Sequence, residues 1–224
     1  MEPQSFATDG FALVPGLLGD AECAELCRTV SLSESNAAGA RALLSTQWCE
    51  RLARGLRERP ELSEFLPPGY VAVQCTYFEK SPSRNWLVAV HQDLSIPVAE
   101  RLENQALQGW SEKEGATFVQ PPVQVLEQLV AIRLHLDECG IQDGPLRVIP
   151  GSHRNGRIDA DRVATARRSE PEVLCIAPRG GALVMRPLLL HASSKSTGAG
   201  MRRVLHFVFG PPSLPLGLRW RHAV

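Results

Sequence analysis

The 224-residue sequence predicts a mainly β fold, a double-stranded β-helix of jelly-roll or cupin type with N-terminal helices packed on it. Three observations predict it. Apolar residues recur at helical spacing up to residue 66, and with a period of two after residue 70. The later apolar segments are short and are divided by Gly, Pro and Asp turn signals. No helical pattern alternates with them, so a parallel α/β sheet is disfavoured.

In chain order, Asp20 can cap a helix carrying Cys23, Leu26, Cys27 and Val30 on one side, and a second helical pattern runs through Leu44, Trp48, Leu52 and Leu56. Pro60 and the Pro67-Pro68-Gly69 cluster close this lead-in, residues 1–66. The β core is expected over 70–210. Val71, Val73, Cys75 and Tyr77 alternate with more polar neighbours, and Trp86, Val88 and Val90 alternate with Leu87, Ala89, His91 and Asp93. Further strands are expected at 130–137, 145–149, 173–177, 182–190 and 202–209, with turns at Gln142-Asp143-Gly144-Pro145 and Arg179-Gly180-Gly181. Residues 95–121, which contain Gly109 and Trp110 and end at Pro121-Pro122, form a long connection and are the candidate lid. No internal repeat divides the chain, so residues 1–224 read as a single domain.

Lys plus Arg equals Asp plus Glu at 24 each, a balance that calls for neither nucleic acid nor an anionic membrane and leaves a small molecule as the expected ligand. The apolar runs are too short to span a bilayer. Six cysteines without a C-x-x-C pair, behind a start with no leader pattern, read as reduced thiols in a cytoplasmic protein.

The chemistry-bearing pattern is His91-Gln92-Asp93. Two residues apart on a strand, the imidazole and the carboxylate leave the same face and can meet at one ion. Two neutral imidazoles and one carboxylate on one face of an octahedron leave three positions open for a bidentate 2-oxo acid and O2, the arrangement of non-haem Fe(II) oxygenases. His135-Leu136-Asp137 is a second copy of the motif, so H-x-D alone decides little. The first copy fits better, because Asp93 precedes His191 by 98 residues, room for the strands a jelly roll needs, whereas Asp137 precedes it by 54. Arg202 follows His191 by 11 residues on the next strand and is placed to clamp the far carboxylate of 2-oxoglutarate with two parallel charge-assisted bonds.

These segments resemble the phytanoyl-CoA dioxygenase family of Fe(II)/2-oxoglutarate oxygenases. The resemblance is carried by Phe6-Ala7-Thr8-Asp9-Gly10-Phe11, by His91-Gln92-Asp93, by Asp143-Gly144-Pro145-Leu146-Arg147-Val148-Ile149-Pro150-Gly151-Ser152-His153, and by His191 with Ser193 and Arg202. It implies that His91, Asp93 and His191 bind iron, that Arg202 helped by Ser193 anchors 2-oxoglutarate, and that the second H-x-D pair is a decoy. It further implies that O2 is co-substrate and that the products are succinate, CO2 and an oxidised substrate. Related halogenases carry a small residue where Asp93 stands, so its presence favours hydroxylation or desaturation.

Other residues are weighed by strand alternation. Arg133 and His135 share a face with Ala131; they read either as an outward polar row or as inward groups beside the substrate. Gln74 is a candidate co-substrate contact, and Asn85, Trp86 and Trp110 are candidate pocket residues. His206 shares the face of Arg202 and reads as a satisfied core histidine, Arg203 turns to the other face, and His153 reads as a turn residue. Two competing readings remain at this stage, a Zn(II) hydrolase on the same ligands and a cupin-like binding module without turnover.

Overall fold

The computed structural model describes residues 6–33 and 42–224; the start of the chain read for a leader, residues 1–5, lies outside them. In chain order the elements are α1 (Phe6–Asp9), β1 (Phe11–Val14), α2 (Asp20–Ser33), α3 (Gln47–Arg57), β2 (Val71–Lys80), β3 (Val88–His91), β4 (Ile96–Val98), β5 (Gln108–Lys113), β6 (Ala116–Gln120) and α4 (Val123–Glu127). There follow β7 (Val130–His135), β8 (Leu146–Val148), α5 (Ala160–Ser169), β9 (Val173–Cys175), β10 (Ala182–Met185), β11 (His191–Ser193) and β12 (Arg202–Gly210). Among the described residues no helix is long and apolar enough to cross a membrane, and all six cysteines are buried thiols.

These strands pair antiparallel. A five-stranded sheet has the order β1-β10-β7-β12-β2 and a four-stranded sheet the order β3-β11-β8-β9. They pack face to face through Phe11, Ala131, Leu183 and Met185 on one side and Leu146, Val148, Cys175 and Leu189 on the other, which is the predicted double-stranded β-helix. The back of the five-stranded sheet is covered by the helical lead-in. Cys75, Tyr77, Ile132, Leu134, Leu205 and Phe207 meet Leu18, Cys23, Cys49, Ala53, Leu56 and Phe65 in one core.

Burial on both faces explains why β7 reads poorly from alternation. All six of its residues are buried, because it lies between β10 and β12 with helices behind it and the other sheet in front. Val130, Ile132 and Leu134 take the helical side, so Arg133 and His135 point into the interior and the outward polar row does not form.

One expectation is corrected. Residues 182–190 are not one strand: Pro187 interrupts the ladder, β10 ends at Met185, a turn bonds Leu189 N to Arg186 O at 3.0 Å, and His191 opens a strand in the opposite sheet. Residues 95–121 contain a three-stranded sheet, order β4-β6-β5, whose Ile96, Val98 and Val119 pack on Leu218 and Trp220.

Gly10 couples the two ends of the chain's motif pattern. Its φ is 81°, and a Cβ there would lie 2.3 Å from His153 Nδ1. Arg186 N donates to Gly10 O at 2.8 Å and Gly151 N donates to Asp9 O at 2.9 Å, so the Asp-Gly-Phe segment is pinned beneath the Pro-Gly-Ser-His turn. Gly10→Ala is expected to cost about 1–3 kcal/mol, read as a fall of several degrees in the thermal midpoint; an unchanged midpoint would contradict the contact.

Candidate metal centre

The register of one strand pair brings the two histidines together. His91 ends β3 and His191 opens β11, and they are direct cross-strand partners with ring centroids 4.2 Å apart. Each Nδ1 lies 2.8 Å from the carbonyl two residues earlier, that of Ala89 for His91 and that of Leu189 for His191. A carbonyl only accepts, so each Nδ1 carries the proton and each Nε2 turns its lone pair to the interior, the tautomer a metal ligand needs.

Asp93 leaves the chain on the same side as His91, and its backbone N donates to Pro187 O at 2.9 Å. Gln92, between them, points the other way. Its amide donates to Gly156 O at 2.7 Å and Leu188 O at 2.6 Å and accepts from Ile158 N at 2.9 Å. The middle residue of the motif thus staples the turn that aims its neighbours. His91 Nε2 is 3.7 Å from Asp93 Oδ1 and His191 Nε2 is 3.7 Å from Asp93 Oδ2. Their ligand atoms lie within 4.8 Å of one another, and among the described residues no other group of three such side chains forms. Two imidazole nitrogens and one carboxylate, with the carboxylate open to a cavity, fit a divalent transition metal with free positions.

The electrostatics suit that role. Burial works against the Asp93 carboxylate, but His191, His91 and His206 hold its pKa well below the usual carboxylate range. Burial pushes His191 down to about 4 against the pull of Asp93, so its ring is neutral at physiological pH. Burial also opposes charge on His91, but hydrogen bonding and charge from Asp93 outweigh it and leave its pKa raised.

Below the triad lies a cationic end. Lys80 and Arg202 are register partners on β2 and β12, and both are buried. Arg202 donates to Gly144 O, Ser193 Oγ donates to the same carbonyl at 3.1 Å, and Lys80 Nζ donates to Ser193 Oγ at 2.5 Å and to Ser194 O. Gly144 has φ 62°, and a Cβ there would meet Ser194 O at 2.5 Å, so the Asp-Gly-Pro turn needs glycine to press its carbonyl onto Arg202. Burial, then Arg202 and Arg133, push the Lys80 ammonium down to about 7. Arg202 Nε has no partner, and neither cation is paired with a carboxylate among the described residues. Such a pair stays charged at tolerable cost only opposite an anion.

His91, Asp93, His191, Ser193 and Arg202 line one cavity of about 430 Å³, and Lys80 meets it only through its bond to Ser193. Gln74, Trp86 and Arg133 line it; Gln74 Nε2 donates to Thr76 Oγ1 at 3.0 Å, and Lys80 Nζ sits 5.8 Å over the Trp86 ring. Three candidates do not reach it. His135 is buried behind the wall with both ring nitrogens unpartnered, Asn85 bonds the backbone of Ser196, and Trp110 stacks on Arg101 at 5.5 Å. The displacement of Trp110 follows from a register shift between Gln108 and Ser111, where Gly109 takes φ 58°. Arg203 faces away and grips Asp137 at 2.7 and 2.8 Å, which removes the second H-x-D carboxylate from the interior. Lys80 and Gln92 were missed as site residues, although Lys80 continues the Gln74, Thr76, Phe78 alternation on the inner face of β2.

Residues 6–204 match the phytanoyl-CoA dioxygenase (PhyH) family. No curated protein matches. Among solved structures, the chain is similar to SnoN, a non-heme alpha-ketoglutarate-dependent epimerase from nogalamycin biosynthesis, with TM-score 0.70 and 16% identity over 93% of this chain and 79% of SnoN. It is similar to the carbocyclase SnoK of the same biosynthesis, with TM-score 0.64 and 15% identity over 95% of this chain and 86% of SnoK. HygX from Streptomyces hygroscopicus, solved with nickel and 2-oxoglutarate, gives TM-score 0.64 and 16% identity over 92% of this chain and 84% of HygX. At these identities the likeness establishes the shared fold.

Proposed function

The chain belongs to the phytanoyl-CoA dioxygenase family, and from that premise we propose that it is an Fe(II)- and 2-oxoglutarate-dependent oxygenase acting on a C–H bond of a small molecule. Hydroxylation is the outcome we assign. The observation that carries the reading is the juxtaposition, in one cavity, of the His91, Asp93, His191 triad with Arg202, a buried cation that has no carboxylate partner among the described residues. A Zn(II) hydrolase has no use for that second feature.

His91, Asp93 and His191 would hold the iron, and Arg202 with Ser193 and Lys80 would hold the far carboxylate of 2-oxoglutarate. When bound, iron with 2-oxoglutarate and O2 supplies the oxidant that takes a hydrogen atom from the substrate, with succinate and CO2 as co-products. The protein's own part is positional. The neutral His191 ring keeps its Nε2 lone pair available, and Gln92 fixes the turn between His91 and Asp93. Arg202 and Lys80 fix one end of the co-substrate so that its 2-oxo acid end meets the triad. Phe118 and Pro97 of the three-stranded sheet, with Leu126, Leu129 and Val208, form the apolar outer wall that excludes water, and we assign the covering role expected for 95–121 to this sheet. SnoN and SnoK are an epimerase and a carbocyclase; the intact Asp93, where related halogenases carry a small residue, is what we weigh for hydroxylation.

The test is an anaerobic titration of the purified protein with Fe(II) and then 2-oxoglutarate. A weak visible charge-transfer band, lost in His191→Ala, is expected. A folded, iron-loaded protein with no band would overturn the 2-oxoglutarate assignment and favour the binding-module reading.

A further inference from the structure

The cavity holds a third histidine that the triad does not use. His206 faces Arg133 across the β12–β7 ladder, and Arg133 NH1 lies 3.2 Å from His206 Nδ1. Arginine only donates, so Nδ1 must accept, and in a neutral ring the proton then sits on Nε2. His206 is 5% exposed, enclosed between the two sheets. Arg133 is itself held over the Phe78 ring at 5.3 Å. The Nε2 atom that carries the proton lies 3.9 Å from Asp93 Oδ2.

A carboxylate that binds a metal through one oxygen leaves the other open to a donor, and the Asp93 side chain, 39% exposed, has His206 beside it. His91 and His191 cannot supply one, since their Nε2 atoms must be unprotonated to ligate. Of the imidazoles around Asp93, His206 alone keeps an N–H to give.

We propose that His206, with its tautomer set by Arg133, is a positioning residue that hydrogen-bonds the outer oxygen of Asp93 once the metal is in place. Closing the 3.9 Å separation by about 1 Å brings the pair to hydrogen-bond length. The bond would hold Asp93 to one-oxygen coordination and keep the remaining metal positions open. This role rests on the metal assignment above.

The experiment compares His206→Asn and His206→Gln by titrating Co(II) into metal-free protein without 2-oxoglutarate. Both are polar and similar in size, but only the glutamine amide reaches where Nε2 sits; the asparagine amide ends where Nδ1 sits. Loss of about 10–100-fold in Co(II) affinity is expected for Asn, with an altered Co(II) ligand-field spectrum, while Gln stays near the parent in both. Thermal melts of the metal-free proteins should coincide. Parent-like affinity in His206→Asn, or equal losses in the two variants, would overturn the role. Nitrogen-15 correlation spectra of the Zn(II)-loaded parent should show the Nε2–H tautomer for His206, and the Nδ1–H tautomer would remove Arg133 from it. Failure of the parent to bind Co(II) at all would remove the metal assignment and this role with it.

Discussion

Replacing Asp93 by alanine is expected to leave a folded protein that retains no stoichiometric iron and forms no succinate. Asp93 carries the triad's negative charge, and its carboxyl is held ionised by three surrounding imidazoles. Without it, two neutral histidines 4.2 Å apart remain as ligands. The loss should exceed the roughly 10–100-fold that an outer partner of a metal ligand is worth. Folding should survive, because the backbone N of Asp93 and the Gln92 staple keep their bonds. The control is His135→Ala. The His135 ring makes no hydrogen bond and Asp137 is committed to Arg203, so metal binding should persist in that variant. Metal analysis after gel filtration, paired with a succinate assay, reads both; iron retained in Asp93→Ala, or lost in His135→Ala, would move the centre to the other motif.

Arg202→Met is expected to produce the complementary defect, iron binding intact and 2-oxoglutarate binding lost. Truncating one partner of a buried, hydrogen-bonded charge pair costs about 2–5 kcal/mol, which is a rise in Kd on the order of thirtyfold to several thousandfold. Arg202→Lys should recover only part of this, because an ammonium cannot serve Gly144 O and a carboxylate with the same fixed fork. Calorimetric titration of 2-oxoglutarate into the iron-loaded or Co(II)-loaded protein checks the prediction. A Kd within a few-fold of the parent would assign the anion site to Lys80 and Ser193 without the arginine.

The centre was legible where local chemistry repeats a strand period. His91 and Asp93 at two-residue spacing, and Arg202 eleven residues beyond His191, are patterns a linear reading can weigh. The decoy motif was separable by spacing, with Asp137 only 54 residues before His191 against 98 for Asp93, and by the family resemblance, whereas its ion pair with Arg203 lay outside any linear pattern. What escaped depends on non-local cover. Arg133 and His135 look like solvent-facing groups until α2, α3 and the second sheet close both sides of β7, and no pattern within the strand records that cover. The break between β10 and β11 depends on Pro187 and on a bond from Arg186 to Gly10 on the other side of the chain. Trp110 was drawn to the pocket by its aromatic character, but a one-residue irregularity at Gly109 turns it away. β1 was missed because four residues beside a glycine carry too little periodicity to stand out, although they complete the edge of the larger sheet.

The proposed metal ligands and the cations belong to different walls. His91 and His191 sit on the four-stranded sheet, whereas Lys80, Arg133, Arg202 and His206 sit on the five-stranded one. A ligand gripped by both walls is therefore a clasp across the sandwich, and any motion that parts the sheets must first release it. Amide exchange in β3, β11, β2 and β12 would then slow together on loading, so that retention of the co-substrate and resistance to opening become one quantity rather than two.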